Sequence, residues 1–111
     1  MKKLIAIFFL LTSFASYCLA QDTVTLTMYY AANGKKTADG TVITNPTKQR
    51  ICAVSRDLLK KYPIGTKIHV EGYGVYIVHD KMGSRHRMMI DLLIPREQKA
   101  ISKRGVKITK K

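Results

Sequence analysis

Beyond residue 20 the chain is cut by turn-forming residues into short pieces, and this limits its possible folds more than any other feature. Residues 23–30, Thr-Val-Thr-Leu-Thr-Met-Tyr-Tyr, alternate polar and apolar in their first half and are rich in β-branched and aromatic side chains, the pattern of a half-buried strand. Asn33-Gly34 and Asp39-Gly40 are turn dipeptides bounding a polar loop. Residues 50–54, 67–71, 75–79, 88–93 and 106–109 read as further strands, with Gly72-Tyr73-Gly74 joining the third to the fourth. Ser55 is placed to cap a short helical turn over 55–61, which Pro63 ends. Pro95 occupies a favourable first helical position, which predicts a second short helix over 95–102, ending near Gly105. The chain is therefore all-β, with about six strands and two short helices. So small a sheet buries its apolar surface and its edges only by closing on itself or pairing face to face, and a small closed barrel is the expectation.

The first twenty residues are a different kind of sequence. Met1-Lys2-Lys3 is a positive head, and an apolar run from Leu4 to Ala15 follows, interrupted by Thr12 and Ser13. The run falls short of the roughly 20 residues that span a bilayer. Cys18 and Ala20 then stand at the −3 and −1 positions before the polar Gln21-Asp22, as signal peptidase requires. The organisation expected is a signal peptide over 1–20 and one domain over 21–111, exported to the periplasm or cell surface. Cys18 offers a second reading, a lipidated cysteine tethering the domain to the cell envelope or outer membrane, although the bulky Tyr17 before it disfavours lipidation.

Cleavage after Ala20 would leave 91 of the 111 residues, enough for one modest domain. Lys2 and Lys3 would leave with the peptide, so Lys+Arg falls from 20 to 18 against seven acids and the net charge becomes +11. Such a chain seeks anionic surfaces. Export turns that preference away from nucleic acid and toward carboxylate-bearing peptidoglycan, acidic polysaccharide or anionic lipid. Only Cys52 would remain, so no internal disulfide forms and the fold stands on its core. Cys52 lies in Ile51-Cys52-Ala53-Val54 and is expected to be buried and inert. His69, His79 and His86 share no ligand spacing, and neither a metal nor a cofactor is expected.

The order of motifs narrows the reading further. Thr27-Met28-Tyr29 is followed by Gly34, Thr37-Ala38-Asp39-Gly40, Cys52-Ala53-Val54-Ser55, Tyr62-Pro63-Ile64-Gly65-Thr66, Glu71-Gly72-Tyr73-Gly74, Val78-His79-Asp80, Ile90-Asp91-Leu92, Ala100 and Gly105-Val106. Over residues 27–108 this order resembles the 3D domain, named for three aspartates, and its relatives in the rare lipoprotein A family and the C-terminal part of membrane-bound lytic transglycosylase A. The resemblance implies a six-stranded double-psi β-barrel, peptidoglycan glycan strands as the partner and, in several members, lytic cleavage of those strands. It places Asp91 at the catalytic aspartate and makes Asp80 a residue of the same cleft. Ser55 stands where the family's first aspartate would be, and Asp57 is the nearest carboxylate to it.

Physical chemistry gives Asp91 a reading of its own. It sits in Met88-Met89-Ile90-Asp91-Leu92-Leu93-Ile94, where a buried carboxylate is costly unless hydrogen-bonded or protonated. Desolvation raises its pKa, the condition for a general acid near neutral pH. Alternation along the strand equally allows it to point outward. As the resemblance implies, Asp91 would protonate the glycosidic oxygen between N-acetylmuramic acid and N-acetylglucosamine. It would then accept the proton of the muramoyl C6 hydroxyl as a 1,6-anhydro ring closes. Asp80 would orient or polarise it, and Tyr29, Thr37 and Gly74 are candidate substrate contacts. Three functions compete: a secreted lytic transglycosylase-like enzyme, the same barrel binding wall glycan without cutting it, and, on charge alone, a binder of anionic surfaces such as lipopolysaccharide or membrane. A monomer is expected in each case.

Overall fold

The computed structural model describes residues 20–111, so the expected signal peptide lies, apart from Ala20, outside the described residues. Six strands form: β1 (Asp22–Tyr29), β2 (Ile51–Val54), β3 (Lys67–Val70), β4 (Gly74–Lys81), β5 (Met89–Leu93) and β6 (Lys103–Lys110). They close into a barrel in the order β1-β5-β2-β4-β3-β6. β1 runs parallel to β5, and β2 parallel to β4. The pairs β1–β6, β2–β5, β3–β4 and β3–β6 are antiparallel. Exchanging each strand with the one three places later reproduces every pairing, parallel for parallel. The barrel is therefore two interlocked three-strand halves, the architecture expected of a double-psi barrel, and closure leaves no free edge.

Every strand sends two residues, two positions apart, into the barrel: Val24 and Leu26, Cys52 and Val54, Ile68 and Val70, Tyr76 and Val78, Ile90 and Leu92, Val106 and Ile108. This is the period of a pleated strand expressed six times over. Each fully buried aliphatic side chain contributes about 1.5–3 kcal/mol by leaving water. Leu58 and Tyr62 close one end of this core, and the Tyr62 hydroxyl donates to Asp22 at 2.6 Å. A second, smaller cluster lies outside the barrel wall, where Ile43 packs on Ile51 and Leu93 beside Tyr29 and Ala31. The loop over residues 31–45 thus covers the outer face of β1, β5 and β2. This explains the burial of Ile51, whose side chain lies outside the barrel core.

The helical elements differ from expectation. Arg56–Leu58 is a single 3-10 turn, and Ser55 makes no side-chain cap to it. The Ser55 hydroxyl is instead drawn to β5, where it accepts from the Met89 amide at 3.0 Å. Residues 95–102 do not form a helix. A turn closes from the Gln98 amide to the Pro95 carbonyl, and the Tyr30 hydroxyl then donates to the Gln98 carbonyl at 2.6 Å and accepts from the Ala100 amide at 3.0 Å. The short α-helix, α1, lies at Pro46–Gln49, capped by the Asn45 side chain and begun by proline.

Candidate functional site

β-Sheet register brings the two sequence-predicted carboxylates together. On β2, Ala53 is level with Asp91 of β5 on one side and with Asp80 of β4 on the other. Thr27 of β1 is level with Asp91 from the far side of β5. Thr27, Asp91, Ala53 and Asp80 therefore form one row across four strands, with the two aspartate Cα atoms about 10 Å apart, two strand spacings. Ile90 and Leu92 point inward, so Asp91 faces outward between them.

Asp80 reaches the same face through an irregularity. Cys52 pairs with Val78, but Ala53 pairs with Asp80, so β4 carries one extra residue, His79, at this point. Tyr76 and Val78 point inward, and strict alternation would have sent Asp80 after them. The bulge turns it outward, a common use of bulges beside functional sites. His79 is then not on the opposite face from Asp80, as alternation predicts: both reach the loop over residues 37–41. Asp80 accepts from the Ala38 amide at 3.2 Å, and the His79 Nδ1 lies 2.6 Å from Asp39.

Asp91 is engaged by fewer partners than Asp22, Asp39 or Asp80. Asp22 pairs with Lys61 and Tyr62, Asp39 with His79, Thr37 and Thr41, Asp57 with the Met88 amide, and Asp80 with two backbone amides. Asp91 receives one side-chain hydrogen bond, from Thr27 at 2.9 Å. Burial raises its pKa, and the bond from Thr27 and the nearby charge of His86 only partly offset that, while Asp80 adds to it. A half-buried carboxylate with unused acceptor capacity can accept from ligand hydroxyls when ionised and donate when protonated.

Tyr29 belongs to this site. Its ring packs with the outer cluster of Ile43, Ile51 and Leu93. Its hydroxyl is buried without a hydrogen-bond partner. Burial first, and then the charges of Asp80 and Asp91, push its pKa above the ordinary tyrosine value, so the hydroxyl keeps its proton and stands as an unspent donor. Thr37 is placed differently. It is buried, and its hydroxyl donates to Asp39 at 2.6 Å, so it shapes the loop that holds Asp80. Gly74 stands apart, at the opposite end of β4 and about 20 Å along the strand from Asp80. There it takes a φ of 94°, and the Arg50 guanidinium lies against it, donating to the Tyr73 and Val75 carbonyls.

Three participants escaped the sequence reading: Asp39, His79 and the role of Ser55. Asp39 looked like a turn residue. In the fold it is a hub, and although partial burial opposes it, the bonds from His79, Thr37 and Thr41 hold its carboxyl well below the usual carboxylate range. Ser55 is fully buried, and beyond its bond to Met89 it hydrogen-bonds Asp57. Asp57 in turn accepts from the Met88 amide at 3.0 Å. Asp57 thus does not supply a third carboxylate to the row; it anchors the start of β5. Cys52 is buried and free, as expected, and its thiol is pushed up to about 12 by burial and by Asp91. A groove of about 490 Å³ opens elsewhere, lined among others by Asn33, Thr44, Asn45, Ile94 and Arg96, and none of the sequence-predicted site residues line it.

No model of a known protein family matches the sequence, and no curated protein does. Solved structures do share the fold. An aspartate-to-asparagine mutant of a Clavibacter michiganensis expansin, in complex with cellohexaose, superposes on 82% of this chain with a TM-score of 0.57 at 14% identity. This chain spans 50% of the length of that expansin. The Streptomyces papain inhibitor matches 81% of this chain and 93% of its own, with a TM-score of 0.53 at 22% identity. The fold is therefore that of the small double-psi-like barrels, a class that carries both a glycan-bound protein and a protease inhibitor.

Proposed function

We propose that this chain is a polysaccharide-binding barrel whose ligand lies over the row of Thr27, Asp91, Ala53 and Asp80. One observation carries the reading: Asp91, half-buried on the outer wall, makes a single side-chain hydrogen bond and keeps acceptor capacity free. Sugars offer hydroxyl donors and acceptors at close spacing, which suits a carboxylate with unused acceptor capacity. That a protein of the same fold is known in complex with cellohexaose supports the ligand class. The ordered motifs resembling the 3D and rare lipoprotein A families point more narrowly to peptidoglycan strands, met after export. The test is pull-down of purified protein with peptidoglycan sacculi. Retention that Asp91→Asn lowers about tenfold is expected, the scale of losing one hydrogen bond to a charged group. Retention unchanged in Asp91→Asn would remove the site from this face.

The raised pKa of Asp91 favours a second reading, in which the same face cuts the strand. Protonated Asp91 would give its proton to the glycosidic oxygen, and as carboxylate it would accept the proton of the C6 hydroxyl that closes the anhydro ring. The products would be 1,6-anhydromuropeptides, detected by mass spectrometry after incubation with sacculi. Their absence alongside intact retention leaves the binding module as the function.

A further inference from the structure

We infer that the segment over residues 81–87, arching between the two aspartates, is an anion-selective rim, so that the glycan carries carboxylate groups and is not a neutral glucan. The inference rests on the polysaccharide reading and names the residues that select among polysaccharides.

Topology places the segment. β4 and β5 flank β2, so the chain between them must cross the end of β2 that carries Val54 and Ser55. Asp80 precedes this arch and Asp91 follows shortly after it, so the two carboxylates stand at its feet. Lys81, Arg85, His86 and Arg87 lie within it, without an acid, and all four are exposed. His86 is close enough to Asp91 for its charge to favour the carboxylate form.

Most exposed charge runs are solvated surface on mobile chain. This arch is tied down at both ends. Arg56 Nε donates to the Met82 carbonyl at 3.2 Å, and the Met82 amide donates to the Val54 carbonyl at 2.9 Å. The His86 amide closes a turn onto the Gly83 carbonyl at 3.2 Å. At the other foot, Met88 is held at a φ of 47°, a left-handed conformation that a methionine adopts at a cost of about 1–2 kcal/mol. The Asp57 carboxylate, held by Ser55, accepts its amide. Strain kept in place by the bond from the Met88 amide to Asp57 indicates that the position of the arch is specified. Lys35 and Lys36 add exposed positive charge on the neighbouring loop, which reaches Asp80 through Ala38. A polymer lying over Asp80 and Asp91 would meet two carboxylates within the row and cations around it. A neutral sugar ring suits the row, and anionic substituents suit the rim.

The experiment compares purified protein on native sacculi and on sacculi whose carboxyl groups have been converted to amides. Two double variants accompany it: Arg85→Gln/Arg87→Gln on the arch, and Lys103→Gln/Lys107→Gln on β6, across the barrel. Amidation is expected to lower retention about tenfold. The arch variant should lose about tenfold on native sacculi, about threefold per arginine as for exposed charge pairs, and nothing on amidated sacculi. The β6 variant, with the same loss of charge, should bind as the parent does. Equal retention on amidated and native sacculi overturns the inference and leaves glycan binding standing. Equal losses in both double variants overturn it in favour of diffuse charge. No retention on either material overturns the inference and the polysaccharide reading together.

Discussion

Replacing Ser55 by alanine tests how the arch and the start of β5 are held. Ser55 is fully buried, and its own amide donates to the Met89 carbonyl at 2.9 Å while its hydroxyl accepts from the Met89 amide at 3.0 Å. The hydroxyl also hydrogen-bonds Asp57, the largest influence holding the Asp57 carboxyl below its ordinary pKa. Ser55→Ala removes both side-chain bonds and leaves the Met89 amide without an acceptor. An unsatisfied donor of this kind costs about 1–3 kcal/mol, and because Asp57 is exposed its share is small. The expected loss is about 2 kcal/mol, or about 10 °C in Tm for a domain of this size. Urea and thermal unfolding followed by circular dichroism measure it, and an unchanged m-value shows that the same surface is exposed on unfolding. Asp57→Asn should be milder, and the two changes together should cost less than their separate losses added, because they break one network. Ser55→Asp should cost more than Ser55→Ala, because it puts a carboxylate at a fully buried position close to Asp57. A Ser55→Ala protein within about 0.5 kcal/mol of the parent would refute the clasp.

Three further measurements follow from the geometry. Gly74→Ala should destabilise more than Gly34→Ala. Both positions have positive φ, but a Cβ at Gly74 meets the Arg50 guanidinium at 3.0 Å, whereas one at Gly34 meets nothing within 4 Å. The shared backbone cost is about 1–2 kcal/mol, and equal losses would show that the Arg50 contact does not constrain the turn. Cys52 should resist thiol reagents at pH 7.5 until the protein unfolds, since its thiol is buried and pushed up to about 12; rapid native-state labelling would place it outside the core. Stability should fall in acid, with the sign set by direction. Asp22, Asp39 and Asp57 have pKa values lowered from 3.8, so their stabilisation is present above that value and is lost as pH drops through their folded values. Asp91 has the opposite sign. Its raised pKa makes its contribution present below 3.8 and lost as pH rises through the folded value. Asp91→Asn should therefore gain stability relative to the parent between pH 3.5 and pH 7, and a constant difference across that range would show that Asp91 is not desolvated.

What could be read from the sequence depended on whether the responsible contact was local. The strands were legible because inward residues recur at every second position, and Asp91 was legible as an anomaly in an apolar run. The structure explains why that run does not alternate. Ile90 and Leu92 face the core, while Leu93 lies under Ile43 of the covering loop, so β5 is apolar on both faces except at Asp91. The α1 helix carried its signal in Asn45-Pro46 and could have been found. The expected 95–102 helix had the same kind of signal in Pro95. It lost to a tertiary bond from Tyr30, a partner far away in the chain. The bulge at His79 had no local signature at all: it exists because Ala53 pairs with Asp80 on one strand and Asp91 on another.

Ala53 separates two carboxylates on the outer wall, and Ser55 is the residue two further along the same strand direction. A third carboxylate there would be fully buried and close to Asp57, at a desolvation cost. Serine instead serves both neighbours, accepting from Met89 and bonding Asp57, and Asp57 is free to hold Met88. Serine at this position thus belongs to the clasp that seats the arch. Asp80 and Asp91 stand on the outer wall, with Lys81, Arg85, His86 and Arg87 on the arch between them. This local balance favours a carboxylated polymer over a neutral one.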